Sequence, residues 1–332
     1  MNELLRFYFG EKYIGSNRIK VFCGDLLNER FDLSRSDYSY LCAEVDTVIN
    51  CAASVKHYGV YEYFRKMNVL TVERLIEFAK SANANLIHAS TLSISGNGFE
   101  KDFASGKDET VFSESSLYIH QLLDNMYARS KFEAEKLIFE QMQTGLKACI
   151  MRMGNLTNRS DGKFQINCET NAFAMRMKSI VELGMLPEKL LNSGACCDFT
   201  PIDEAASAVM LVTRHFDPTK TVFHISNSHP VRFAELVEYM NTLGIRIEAV
   251  ENSVFENALR KTMEQSETEH IFESFVMNMA ADANSYEGKK LRIDNGFSVS
   301  YLQKLGFEWE EIGIDYLKKY FDYFRQTGYF GG

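Results

Sequence analysis

Short, nearly uninterrupted apolar runs alternate with longer segments of helical periodicity, and this alternation restricts the fold more than any other feature of the chain. The runs cover residues 18–24, 45–53, 85–95, 147–153 and 221–226. Each is too short for a helix and reads as a strand, and 45–53 is so nearly continuous in its apolar residues that it reads as one buried on both sides. Between them, residues 61–82 place Phe64, Met67, Leu75, Phe78 and Ala79 on one helical face. Residues 121–142 do the same with Leu123, Met126, Ser130, Ala134, Leu137 and Ile138, and helices are also expected over 201–215 and 232–243. Strand–helix–strand repetition with apolar strands predicts an α/β fold with a doubly wound parallel sheet. Beyond about residue 227 strands become scarce, and the helical patterns at 254–269 and 314–326 predict a smaller, mostly helical C-terminal lobe.

Composition narrows the function. The chain has 332 residues, 45% of them hydrophobic and only 4 of them proline, which fits a well-filled core and no long linker. Its net charge of −9 argues against nucleic acid, whose phosphates call for a basic footprint. The densest basic stretch, residues 287–292, reads as a solvated loop. No apolar stretch is long enough to span a membrane, and the N-terminus lacks a signal-peptide pattern. Seven cysteines, including the vicinal pair Cys196 and Cys197, show no metal-ligand spacing. They read as reduced thiols of a cytoplasmic protein with no metal site.

The sharpest chemical signal is Tyr127-Ala-Arg-Ser-Lys131 within the 121–142 helix. Residues i and i+4 share a helix face, and a lysine ammonium beside a phenol lowers its pKa from near 10 towards a useful range. The spacing occurs twice more, at Tyr8/Lys12 and Tyr286/Lys290. Only Tyr127 follows a strand that ends in hydroxyls, Ala89-Ser-Thr-Leu-Ser-Ile-Ser-Gly96. A hydroxyl at the carboxyl end of a parallel strand lies where such sheets bind ligands and can donate to a developing oxyanion. His57, a lone histidine in a loop, reads as a loop hydrogen-bonder.

The motifs together resemble the extended short-chain dehydrogenases, and within them the thioester reductase domains of nonribosomal peptide synthetases and carboxylic acid reductases. The matching segments are Gly24-Asp25-Leu26, Cys51-Ala52-Ala53, Asn68-Val69, Ser90-Thr91-Leu92-Ser93, Tyr127 with Lys131, Arg152-Met-Gly-Asn-Leu-Thr157, Asp198-Phe-Thr-Pro-Ile-Asp203 and Phe223-His-Ile-Ser-Asn227. The resemblance implies a Rossmann-type fold and Thr91, Tyr127 and Lys131 as the catalytic set. It implies a cofactor, NADPH, held by Asp25, Leu26, Ala52, Ala53, Asn68, Lys131, Gly154 and Asn155. It further implies reductive release of a peptidyl or acyl thioester from the phosphopantetheine of a carrier protein, as an aldehyde or, after a second hydride, an alcohol. Residues 164–177 would then line the substrate channel. Residues 1–157 and 196–227 would form the cofactor unit, and 158–195 with 228–332 the substrate and carrier-protein lobe.

One departure stands out. The family opens on a strand, a Gly-x-x-Gly-x-x-Gly turn and a helix that meet the pyrophosphate. Here the close pair Gly96/Gly98 follows the catalytic strand instead of opening the fold. The first βαβ unit is therefore expected to be missing, as in a piece of a longer synthetase or a misplaced start. Two other readings stay open: a cofactor-incompetent fragment or carrier-docking module, and a sugar-nucleotide epimerase or dehydratase of the same superfamily.

Overall fold

A computed structural model describes residues 1–56, 59–96, 98–100, 109–265 and 290–330. His57, Tyr286, residues 287–289 of the basic 287–292 stretch and the last residues of the 254–269 helical pattern lie outside the described residues. The main sheet consists of β1 (Thr47–Asn50), β2 (Asn85–Thr91), β4 (Ala148–Met153) and β9 (Val222–Ile225), all parallel, in the order β1-β2-β4-β9. Short ladders surround it. β3 (Glu109–Phe112) pairs with β12 (Lys290–Ile293), and β5 (Leu156–Thr157) with β8 (Thr200–Pro201). β6 (Met185–Pro187) pairs with β11 (Glu248–Val250), and β7 (Cys196–Cys197) runs antiparallel to β10 (Val231–Arg232).

The sheet is covered on both faces, as apolar parallel strands require. On one side Leu86, Ala148, Ile150 and Val222 pack against Val72, Leu75, Ile76 and Ala79 of the 61–82 helix and Ala134 and Ile138 of the Met126–Met142 helix. On the other, Ile87, Cys149, Met151, Phe223 and Ile225 meet Ala205, Ala208 and Val212 of the Ile202–Arg214 helix, together with Leu302 and Trp309. The C-terminal lobe has its own core, in which Phe164, Phe173, Phe199, Tyr320 and Phe324 pack edge-on or tilted.

Two local expectations change. The apolar run 18–24 forms no strand: among the described residues nothing extends the sheet beyond the outer edge of β1, so the run lacks the ladder that would hold it. Val21 is left 62% exposed, and Lys20 Nζ donates to Tyr40 Oη at 2.6 Å. The helix expected from residue 121 starts at Met126. Gln121 Nε2 is tied to the carbonyls of Ile94 (3.0 Å) and Leu117 (2.8 Å), and Asn125 Oδ1 accepts from Ala128 N at 3.1 Å, an N-cap that sets the first turn. The 61–82 helix runs as expected, with a π-helical stretch at Arg65–Leu70. All seven cysteines are free thiols.

Candidate active site

Side chains alternate along a parallel strand, so the helix-covered face that carries Leu86 and Ile150 also carries His88, Ser90, Arg152 and His224 nearer the carboxyl ends. The lower half of this face is therefore apolar and the upper half is a buried polar layer. The Met126–Met142 helix matches it: Ala134 and Ile138 meet the apolar half, while Lys131 and Glu135 meet the polar half. Lys131 Nζ donates to Ala89 O at 2.6 Å and lies 3.2 Å from His88 Nε2. Glu135 accepts from Ser90 Oγ (2.5 Å) and from Arg152 Nη2 (2.8 Å), with both charged side chains fully buried. Arg152 Nη1 also faces His224 Nε2 at 3.2 Å, and the guanidinium lies 4.8 Å from the Phe112 ring centre. Burial and the Arg152 charge push the His224 imidazole down to about 4.

This layer fixes where the catalytic helix sits, and so brings two of the expected residues together. Thr91 ends β2 and its hydroxyl accepts from Ser93 N at 3.1 Å. It also hydrogen-bonds with the Tyr127 hydroxyl. Burial pushes that phenol up to about 12, against a partial pull downward from Thr91. The expected acidification of Tyr127 by Lys131 does not appear in this structure, where burial dominates and Thr91 is the group that pulls the phenol down. At neutral pH Tyr127 therefore holds its proton. Burial also acts on Lys131, lowering its ammonium to about 8 against the opposing pull of Glu135 and Cys51.

The residues expected around a cofactor separate into two groups. Ala52 and Asn155, both exposed, and Ala53 and Gly154, both partly exposed, sit where β1 and β4 end. Gly154 is required there: a Cβ would lie 2.3 Å from Asp198 Oδ2 and 2.9 Å from Thr200 Oγ1. The same Asp198 oxygen accepts from Asn155 N at 2.7 Å, and burial pushes this carboxyl up to about 6. Small side chains at these strand ends fit the close approach of a flat ring and its ribose, while the backbone N–H groups there are held within the protein: Ala52 N donates to Asn50 Oδ1 (3.0 Å) and Gly154 N to Ile225 O (2.9 Å). Asn68, by contrast, is fully engaged within the protein. Its amide bonds Ser54 N (2.7 Å), Ser54 O (3.0 Å) and Ser130 Oγ (2.9 Å), clamping the turn after β1 to the catalytic helix. The π-helical stretch that carries Asn68 is the irregularity that accommodates this clamp. Asp25 is exposed and closes a turn through Leu27 N (2.9 Å), while Leu26 packs inward on the core. No hydrogen bond among the described residues joins Asp25 to the Thr91–Tyr127–Lys131 set.

Sequence reading gave no role to Asn50, His88, Glu135 or Asp198, although Asp198 opens one of the matched segments. The signal for the first two was present, since a single polar residue inside a both-faces-buried strand has to find a buried partner.

Comparison with known proteins gives these residues a context. Residues 3–209 match the model of the NAD-binding family described as male sterility protein. The chain is 24% identical over 315 residues to one of the polypeptides of linear gramicidin synthase from Brevibacillus parabrevis, covering 94% of this chain and 6% of that protein. It is 24% identical over 329 residues to L-2-aminoadipate reductase of Saccharomyces cerevisiae, covering 92% and 23% respectively. The chain thus spans less than a quarter of the length of either curated relative. A thiolation-reductase di-domain from an archaeal non-ribosomal peptide synthetase superposes with TM-score 0.80 and 31% identity, over 99% of this chain and 66% of that one. UDP-glucuronic acid 4-epimerase from Bacillus cereus, solved with NAD, shares the fold with TM-score 0.57 and 17% identity, over 90% of this chain and 79% of that one. With more than half its length matched by the family model, the chain belongs to the NAD-binding, male sterility protein family of oxidoreductases.

Proposed function

We propose that this chain is the reductase portion of a larger synthetase, and that it releases a carrier-protein-bound peptidyl or acyl thioester as an aldehyde using NADPH. The observation that carries the reading is the Thr91–Tyr127 pair at the end of β2, with buried Lys131 one helical turn on. Closer structural likeness to a synthetase reductase than to a sugar-nucleotide epimerase supports it over the epimerase alternative.

When bound, the reduced nicotinamide supplies the hydride. Ala52, Ala53, Gly154 and Asn155 are the residues that would hold it. The protein's own part is to manage the oxygen. As the thioester carbonyl becomes tetrahedral, Thr91 and Tyr127 donate hydrogen bonds to the growing negative charge. Tyr127, kept protonated by its burial, then gives its proton to that oxygen. Collapse of the hemithioacetal breaks the C–S bond and frees the carrier thiol. Within this reading, residues 1–157 with 196–227 serve the cofactor, and residues 158–195 with 228–332 serve the acyl chain and its carrier.

The test is NADPH consumption with an acyl-pantetheine or carrier-loaded thioester, with aldehyde trapped as product. Tyr127→Phe is expected to lower kcat by about a hundredfold or more, since it removes both proton and oxyanion donor. Unchanged turnover in that variant, or turnover of sugar nucleotides and not thioesters, would remove the reading.

A further inference from the structure

Lys131, His88 and Asn50 form one hydrogen-bonded row, and its polarity can be read atom by atom. Ala52 N–H donates to Asn50 Oδ1 at 3.0 Å, which fixes the end of the amide that faces the imidazole. That end is Nδ2, 3.0 Å from His88 Nδ1. An amide nitrogen only donates, so Nδ1 is the acceptor and the neutral ring carries its proton on Nε2. Nε2 in turn lies 3.2 Å from Lys131 Nζ. Facing an ammonium, this N–H would set two donors head-on. Facing a free amine, it meets a lone pair, while an amine N–H serves Ala89 O. An imidazolium is disfavoured, because complete burial holds His88 well below its ordinary pKa.

We propose that His88 and Asn50 are positioning residues that hold Lys131 as the free amine, and that Lys131 becomes an ammonium only when the His88 proton moves from Nε2 to Nδ1. In that step the Nε2 proton passes to Nζ, Nδ1 takes one from solvent, and the net uptake is one proton. The Asn50 amide must then turn over to accept from Nδ1–H, and it gives up its bond from Ala52 N. The charge of Lys131 is thus tied to the backbone of the Ala52-Ala53 turn. The titratable groups facing Lys131 are Glu135 on its own helix, Cys51 after β1 and His88 on β2. Glu135 and Cys51 favour the ammonium and burial opposes it, which places the balance within reach of physiological pH. The catalytic consequence rests on the functional reading above; the hydrogen-bond polarity does not.

The experiment is NMR on the labelled full chain. Long-range 1H–15N correlation reads the His88 tautomer, and the 13Cε shift reads Lys131, assigned against Lys131→Arg, from about pH 6 to pH 10. One shared inflection is expected, with His88 protonated on Nε2 above it and on Nδ1 below. A ring protonated on Nδ1 above the inflection, or a tautomer that stays fixed while Lys131 titrates, would overturn the proposal. Asn50→Asp supplies an independent check, because a carboxylate only accepts. It should keep the proton on Nδ1 at every pH and raise the Lys131 inflection by about one pH unit or more. A Lys131 inflection that does not move in that variant overturns the coupling. If thioester reduction is observed, the pH limb of kcat should move with the inflection while KM stays. If no thioester is reduced, the functional reading falls and the NMR outcome still decides this one.

Discussion

Lys131 shows how a single side chain sets chemistry against stability. It is 2% exposed, and its ammonium is displaced from 10.5 to about 8, chiefly by burial. The folded state therefore holds the proton less firmly than the unfolded state. Between pH 8 and 10.5 the unfolded chain binds more protons, so stability rises with pH across that window and the full penalty applies below it. At about 1.4 kcal/mol per unit the penalty is of order 3 kcal/mol, offset by about 1 kcal/mol from the bond to Ala89 O. Lys131→Met is accordingly expected to unfold in urea with about 2 kcal/mol more stability than wild type at about pH 7 while losing turnover, and its advantage should shrink as pH passes about 8. A Met variant less stable at neutral pH would mean that the ammonium is net favourable where it stands. Gly154 makes the opposite point, since there the backbone alone is tolerated. In Gly154→Ala the new methyl meets Asp198 Oδ2, Ser226 Cβ and Thr200 Oγ1 at 2.3, 2.8 and 2.9 Å. None of these atoms is the far end of a long, flexible side chain, so a loss of about 1–3 kcal/mol is expected in a thermal melt.

The Met126–Met142 helix is the element that assembles the site, and it is anchored by charge as well as by apolar contact. Glu135 binds Arg152 through Nε and Nη2, and Ser90 lies on the same carboxylate. Removing one member of a buried pair strands the other charge, which typically costs about 3–5 kcal/mol. Glu135→Ala is therefore expected to lower the unfolding free energy in urea by an amount in that range. Arg152→Met with Glu135→Leu should recover much of the loss, because the apolar pair leaves no charge behind. Loss in the single variant without recovery in the double would show that the pair also orders the helix. The helix itself was legible in the sequence, as was its Tyr127–Lys131 face, because periodicity and spacing are local properties. The start at Met126 was not, because it depends on Gln121 reaching back to Ile94 O across a turn. The polar layer of His88, Ser90, Arg152 and His224 was also hidden. Each residue looks misplaced in an apolar run until three strands and a helix bring them together.

At the scale of the molecule, alternation of period was enough to give a parallel sheet wrapped on both faces, and the scarcity of strands after residue 227 marked the helical lobe. The short strand pairs outside the main sheet escaped notice, because two- and three-residue strands carry no readable period, and side-chain hydrogen bonds do much of the stitching between lobe and sheet. The stitching converges on the segment that follows β4. Tyr316, from the Ile314–Gln326 helix, shares a 2.7 Å hydrogen bond with Thr157 Oγ1 and donates to Asn158 O at 2.8 Å. Lys319 Nζ reaches Ser160 O (2.8 Å), and Asn227 Nδ2 reaches Glu310 O (2.9 Å). These contacts couple the lobe to the backbone just beyond Gly154 and Asn155, so the lobe's position and the shape of the strand-end crevice are mechanically joined. Tyr316→Phe keeps the ring in its packing and removes only the hydroxyl. It is expected to cost about 1–2 kcal/mol in urea unfolding, one buried hydrogen-bonding group, with an unchanged m-value. Because the Tyr316 hydroxyl is engaged by Thr157 and Asn158 and not by the Thr91–Tyr127 pair, the same variant should raise the KM for thioester more than it lowers kcat. A fall in kcat with KM intact would instead place Tyr316 in the alignment of the reacting groups, and the coupling would run through the catalytic helix rather than through the segment after β4.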